Sequence, residues 1–300
     1  MNRPIAQPLD VRTALKEAIR RLGDARVPSH ILAAELLLMH ALGRDRAWLY
    51  THPEAPLGPD AAAKFFKNIA KRAQGVPTQY LTGHQEFWGL DFEVTPQVLI
   101  PRPETEHVVE VALERLGPAA TSRPVRIVDV GTGSGCIAIV LARELPLAEI
   151  FATDLSPAAL EVAHRNAGRH GVSGRVRFFN CDLLSAFHPP DAGSAPRQFD
   201  MIVANPPYVG RAEEHMLPRE VGEHEPHAAL FGGRVGTEMY EQLIVQSEPL
   251  LPAGVLVLEL GYNSLPAVQA IFNSRSGWDH IAVTNDLAGI ARVVSAQRTV

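Results

Sequence analysis

VDVGTGSGCIAIVLA, residues 128–142, sets three glycines, Gly131, Gly133 and Gly135, between an apolar run of strand character and an apolar run of helix character. Glycine has no Cβ, so such a chain turns tightly out of the strand and lets a ligand approach the backbone before the helix begins. Thr132 and Ser134 lie between the glycines. No Gly-Lys-Ser/Thr follows, which argues against a phosphate-gripping P-loop and its kinases and ATPases. The overlapping GSGCIA also satisfies the dinucleotide pattern with alanine in the last place, so the loop alone admits either a nicotinamide dinucleotide or a methionine sulfonium.

Outward from the loop, apolar strand segments RIVDV, EIFATD, VRFFNCD, FDMIVAN and GVLVLEL alternate with CIAIVLAREL, PAALEVAHRNAGRH and EMYEQLIVQSEPL, which read as helices. This alternation predicts an α/β fold of right-handed βαβ units, a parallel sheet with helices on both faces and a ligand crevice at the strand carboxyl ends. Asp154 is expected to end the second strand, where a carboxylate can accept both hydrogen bonds of a ribose diol. Asp182 is expected to end the third and to accept from an adenine amino group, with Leu183 flanking the ring. The competing reading of both acids is a helix cap. Asp129, just before the loop, would hold its conformation or approach an amino group.

Upstream, apolar residues recur at three and four from Val11 to Ala73, with breaks at GDARVPSH, GRDR and HPEAPLGPD, the pattern of several short packed helices. Phe87, Leu90, Phe92 and Val94 flank a turn at Gly89 and predict a β-hairpin. Downstream, HIAVTND and ARVVSAQ joined across LAGI read as a closing strand pair, and HPPDAGSAPRQ as a mobile loop insertion.

Asn205-Pro206-Pro207-Tyr208 directly follows the strand FDMIVA and therefore falls at the sheet's carboxyl edge, beside the glycine loop. Two prolines fix φ and remove two backbone donors, leaving carbonyls in a rigid corner. Asn205 Oδ1 and the Pro206 carbonyl can then both accept from one NH2 group, which orients a planar nitrogen. The Tyr208 ring offers a wall for the substrate plane and a face for a cation. A bare loop stop or a polyproline ligand is the alternative for Pro-Pro-Tyr.

The 300 residues suffice for two domains, with 46% apolar and 20% charged residues, a globular balance. MNRPIAQPLD lacks the apolar core of a signal peptide and no run approaches a membrane span, so a cytoplasmic protein is expected. Cys136 and Cys181 are too few for a disulfide scaffold and read as buried thiols. The formal net charge of −5 is uneven: residues 1–80 carry 12 Lys and Arg against 7 Asp and Glu, the remainder 16 against 26. A basic N-terminal part can meet RNA or an acidic protein surface, although scattered charges on helices commonly form a solvated face. His215, His224 and His227 lack the HExxH spacing, and no metal is expected.

VPTQYLTGHQEFWGLDFEVTPQVLIPRPETEHVV, VDVGTGSGCIAI, NPPYV, REVGEHEPHAALFGG and NDLAGIARVV, in this order, resemble the release factor glutamine N5-methyltransferases, the HemK/PrmC group, over nearly the whole chain. The resemblance implies a class I methyltransferase (Rossmann-like) fold with a seven-stranded sheet. Residues 1–82 would be an N-terminal helical bundle recognising the substrate, 83–98 a β-hairpin connector and 99–300 the S-adenosylmethionine-dependent domain. It further implies S-adenosyl-L-methionine held by Gly131–Gly135, Asp154, Asp182, Leu183 and Asn205, and a glutamine side chain of the Gly-Gly-Gln loop of peptide chain release factors bound by Asn205, Pro206, Pro207 and Tyr208. Asn205, Pro206 and Tyr208 would be the catalytic set. Arg102 and Glu104 would shape or cover the site, or else form a salt-bridged loop and helix cap. The run from Gly236 to Tyr240 departs a little from the family pattern. A monomer without membrane or direct DNA binding is expected. Methylation of an exocyclic amine of adenine or guanine, an NAD-dependent oxidoreductase and a noncatalytic binding module are the competing readings.

Overall fold

The computed structural model describes residues 9–188 and 197–299; most of the expected loop insertion falls outside them. Two compact units divide at His84 and Gln85, and Pro218–His224 returns to the first.

The first unit holds α1 (Val11–Asp24), α2 (His30–Leu42), α3 (Arg46–Thr51), α4 (Pro59–Ala73) and α5 (Thr78–Thr82). Asp10 starts α1 by accepting the Thr13 amide at 2.7 Å. Ala14, Ala18 and Leu22, four apart, are buried against Leu37, Leu38, Phe65 and Ile69 from α2 and α4. Glu35 is buried among them and is matched by the Tyr50 hydroxyl and by Arg46 Nε at 2.9 Å. The returning segment is anchored by an ion pair between buried Arg72 and Glu220.

The second unit opens with the expected hairpin, β1 (His84–Phe87) and β2 (Leu90–Glu93). Then come α6 (Glu106–Leu116), β3 (Arg126–Val130), α7 (Cys136–Glu144), β4 (Glu149–Asp154), α8 (Pro157–Arg169), β5 (Val176–Asn180), β6 (Met201–Ala204) and β7 (Val209–Gly210). α9 (Arg219–His224) lies in the returning segment. α10 (His227–Leu230), β8 (Phe231–Gly233), α11 (Glu238–Ser247), β9 (Val255–Glu259), α12 (Leu265–Asn273), β10 (Trp278–Asn285) and β11 (Ala291–Arg298) complete the order.

Seven strands form one sheet in the order β10-β11-β9-β6-β3-β4-β5. The five from β9 to β5 are parallel, and β11 runs antiparallel to both β9 and β10. Side chains alternate between two apolar layers as a pleated strand requires. Ile127, Met201, Val203 and Val257 face the layer containing α6 and α7; Val128, Ile202, Ala204, Leu256 and Leu258 face the layer containing α11 and α12. By the same alternation Asp129 and Glu259 turn toward the α6–α7 layer. The hairpin is stapled to the sheet unit by Asn166, whose amide accepts from Glu93 N at 2.8 Å and donates to Glu93 O at 3.0 Å and Ser134 O at 2.9 Å.

Two sequence expectations need correction. β5 stops at Asn180, two residues before Asp182, because the Asn180 amide donates to the Asp154 and Leu155 carbonyls at 3.0 Å each and draws the chain away from the ladder. Asp182 thus stands in an exposed turn beyond the strand. Cys136 is buried, but Cys181, in that same turn, is half-buried.

Candidate active site

A cleft of about 370 Å³ lies at the carboxyl ends of β3, β4, β5 and β6. Gly131, Thr132, Gly133 and Ser134 of the glycine loop, Asp154, Asp182, Leu183, Asn205 and Pro207 line it, whereas Gly135 does not, and Val98, Leu99, Pro226 and Met239 contribute apolar wall.

The three glycines do different work. Gly131 (φ +71°) and Gly133 (φ +55°) have open space where a Cβ would stand. Gly135 (φ +83°) could carry a Cβ only at 2.9 Å from Ile139 Cδ1 and 3.1 Å from Ala163 Cβ, so it serves the close packing of α7 against α8.

Asp129 is buried beneath the loop. Its Oδ2 accepts from Thr132 Oγ1 at 2.6 Å and from the Ala138 amide at 3.2 Å, while its Oδ1 is buried without a partner. Burial pushes its carboxyl up to about 7. Burial likewise pushes the Cys136 thiol up to about 12, so it stays protonated and inert. Asp154 braces the loop from the neighbouring strand: Oδ2 accepts the Gly133 amide at 2.9 Å and Oδ1 the Ser156 amide at 2.8 Å. It does not cap the helix that follows; Ser156 does, accepting from Ala159 N at 3.2 Å. Each Asp154 oxygen keeps a second lone pair. Leu183 holds φ +47°, a strained conformation for a branched residue, at the wall of the cleft.

At the fourth strand end, Asn205 Nδ2 donates to Thr105 Oγ1 at 3.2 Å, which points the amide's oxygen the other way. Asn205 and Pro207 belong to the cleft surface, whereas Pro206 is buried and the Tyr208 ring packs against Gly261, where a Cβ would lie 2.8 Å from it. Burial, with the Glu259 carboxylate nearby, pushes the Tyr208 hydroxyl well above its usual range. The corner is braced from outside by β7 and β8, which pair in parallel. A Cβ on Gly232 would stand 2.2 Å from the Pro207 carbonyl oxygen, so only glycine allows that approach.

Arg102 and Glu104 stand as structural partners. Arg102 pairs with buried Glu225, which also accepts the Ile100 amide at 3.2 Å; Glu104 lies 3.9 Å from Arg292, itself held by Asp286 at 2.8 Å. Neither glutamate caps a helix. Thr105, Glu225, Gly232 and Glu259 were not singled out by sequence reasoning. The signals available were an acid inside the apolar run VLVLEL and the doubled glycine of LFGG.

The open glycine cradle, a carboxylate with free lone pairs beside it and an unmatched buried acid beneath it suit a nucleoside carrying a cationic, amino-bearing chain. Together with the seven-stranded sheet they define an S-adenosylmethionine-dependent methyltransferase of class I. Residues 13–83 match the family model of the PrmC N-terminal domain, and residues 110–223 that of the methyltransferase small domain. A release factor glutamine methyltransferase of Koribacter versatilis is 46% identical over 97% of this chain and 99% of its own length. Another, of Moorella thermoacetica, is 44% identical over 97% and 99%. The chain belongs to the release factor glutamine methyltransferase family. A crystal structure of a methyltransferase from Pyrococcus furiosus superposes with a TM-score of 0.50 at 19% identity, covering 79% of this chain and 96% of that one, and shares the fold.

Proposed function

We propose that this protein transfers a methyl group from S-adenosylmethionine to the side-chain amide nitrogen, N5, of the glutamine in the Gly-Gly-Gln motif of peptide chain release factors. The observation that carries this reading is the Asn205 amide, whose NH2 end is taken by Thr105 and whose oxygen is left for a donor at the cleft. The methyl donor supplies an electrophilic methyl on a positively charged sulfur.

An amide nitrogen is a weak nucleophile because its lone pair is delocalised, so its orientation is most of what the protein can contribute. Asn205 Oδ1 and the Pro206 carbonyl accept its two protons and aim the lone pair along the transfer direction. The same contacts favour the positive charge that grows on nitrogen as the bond forms. The methylated nitrogen is strongly acidic, which removes the need for a dedicated base. Gly131 to Ser134 and Asp154 would hold the donor's amino-acid chain and ribose, Asp182 with Leu183 would border its adenine, and Gly135 keeps the helix behind the loop in place. Pro207 shapes the cleft wall, while Tyr208, packed on Gly261, supports the corner from behind.

In this reading residues 1–82 recognise the release factor, 83–98 connect, and 99–300 carry the chemistry, in a cytoplasmic monomer that does not bind DNA directly. Among the described residues no helix is long and apolar enough to cross a membrane. The test supplies labelled S-adenosylmethionine with an intact release factor, a glutamine-to-alanine release factor, and nucleic acid. Mass spectrometry then locates the methyl. Label on the Gly-Gly-Gln glutamine alone is expected; label on a nucleobase overturns the reading.

A further inference from the structure

Large apolar side chains that stand in water are unevenly placed on this protein. The four most exposed among the described residues, Leu287, Met216, Tyr262 and Leu155, all follow strand carboxyl ends: Leu155 after β4, Met216 beyond β6 and its corner, Tyr262 after β9 and Leu287 after β10. Single exposed apolar residues are ordinary, but their gathering at one edge marks a surface that meets a partner. Leu155 belongs to the cleft itself.

Three exposed apolar residues are chain neighbours of residues fastened to the Asn205–Tyr208 corner. Tyr262 follows Gly261, where a Cβ would lie 2.8 Å from the Tyr208 ring. Val235 precedes Gly236, where a Cβ would collide with the Tyr208 carbonyl oxygen. Leu287 follows Asp286, which holds Arg292 at 2.8 Å; Arg292 lies 3.9 Å from Glu104, and the next residue, Thr105, accepts from Asn205.

Leu287 is not carried on a loose tip. Asp286 Oδ1 accepts from the Ala288 and Ile290 amides at 2.9 and 3.0 Å, the Asp286 amide donates to the Ile290 carbonyl at 2.8 Å, and Gly289 takes φ +78° to close the turn. A rigid turn thus holds a leucine fully out in solvent, so that burying it against a partner costs little ordering. The transfer chemistry makes no use of this NDLAGI turn.

The corner by itself gives a protein little to hold. Asn205 and Pro206 engage only a terminal NH2 group, and the two glycines before the glutamine carry no side chains. The arginines around the corner are already engaged: Arg102 by Glu225, Arg292 by Asp286, and Arg211 by the Phe231 ring at 4.3 Å. These cations are taken and the apolar groups are not, which suits an uncharged protein segment and not a phosphate backbone.

We infer that Val235, Tyr262 and Leu287 form an apolar rim that binds the release-factor segment flanking the Gly-Gly-Gln loop, an inference that rests on the amide-methylation reading above. The rim supplies affinity for the protein, and the corner orients the nitrogen. Truncating the rim therefore weakens capture without slowing transfer once the loop is bound.

The experiment measures kcat and KM for intact release factor, S-adenosylmethionine Kd and melting temperature for Val235→Ser, Tyr262→Ala, Leu287→Ser and, as the comparison, Leu147→Ser. Leu147 is also exposed but stands at the opposite edge, between α7 and β4. Tyr262→Ala and Leu287→Ser are each expected to raise KM by about 10-fold, the scale of an interface anchor, and Val235→Ser by a few-fold. Their kcat, cofactor Kd and melting temperature should stay near wild type, as should every parameter of Leu147→Ser. Unchanged KM in the Tyr262 and Leu287 variants overturns the rim, as does an equal rise in Leu147→Ser. A loss in kcat with KM unchanged also overturns it, because the residues would then support the corner and not the partner. Sedimentation tests the other occupant: wild-type dimers that the rim substitutions dissolve, with KM unaltered, would assign the surface to a second copy of this chain. A wild-type enzyme inert toward release factor would instead overturn the amide-methylation reading, and the rim with it.

Discussion

Asp154, the last residue of β4, accepts the backbone amide of Gly133 at 2.9 Å, so one strand end fastens the ligand loop of the next. The carboxylate has two duties: it shapes the loop and offers its remaining lone pairs to the cleft. Hydrogen bonds to a charged group contribute about 1.5–3 kcal/mol each, so Asp154→Ala should weaken S-adenosylmethionine binding by about 10- to 100-fold. Calorimetric titration measures this, and an unchanged Kd would remove Asp154 from the binding site.

Asn205→Ala removes an acceptor at the reacting nitrogen and leaves the glycine cradle intact. The expected loss in kcat is about 10²–10³-fold, the scale seen for a single preorganised hydrogen-bonding group. Cofactor Kd should stay within a few-fold of wild type, a contrast read by stopped-time methylation assays beside calorimetry. Comparable turnover by the variant would disprove the proposed grip.

Asp129 makes the stability of the fold sensitive to pH. Its carboxyl is raised from 3.8 to about 7, mainly by burial, so the folded protein binds more protons than the unfolded chain across that interval. Its contribution to stability is therefore full below about pH 3.8 and is lost as pH rises toward and through 7. Asp129→Asn keeps an acceptor for Thr132 and Ala138 while removing the buried charge. Thermal melts of the cofactor-free protein at pH 8 should show the variant stabilised by about 1 kcal/mol, or about 3 °C. The gain should shrink as the pH is lowered to 5; a gain independent of pH would contradict the assignment.

The glycine loop and its helix were legible because strand, turn and helix lie in one continuous stretch with the spacing the physics demands. Sequence spacing did not separate the roles of the glycines, since Gly135 answers to Ala163 on another helix. Asp182 was placed on a strand because FFNCD gives no local stop signal; the stop comes from Asn180 reaching across to the end of β4. Asn205 could be read from its prolines, but its partner Thr105 is 100 residues away and Glu259 looks like one acid in an apolar strand. Contacts assembled by the sheet edge leave no mark in local periodicity, and that is where the unread half of the site lies.

Gly232 illustrates the same point and yields a prediction. A methyl group there meets the Pro207 carbonyl oxygen at 2.2 Å and the Gly236 oxygen at 2.9 Å, so the corner must shift to admit it. Gly232→Ala is expected to lower kcat by about 10²-fold and to destabilise by about 1–3 kcal/mol. Gly89→Ala, where no atom lies within 4 Å of the new Cβ, is the comparison; its positive φ costs stability but leaves the corner in place. Equal kcat losses in the two variants would show that backbone strain, and not the displaced carbonyl, is responsible.

β11 comes after β10 in the chain yet lies between β10 and β9. The two strands form an antiparallel hairpin that joins the sheet through its second strand, so β10 is left as the outer edge. The pairing of β11 with β9 also brings Arg292 up to Glu104 and Glu259. The glycine loop is thus built wholly within the parallel part of the sheet, while the charge environment behind the substrate grip is supplied by the antiparallel hairpin at its edge.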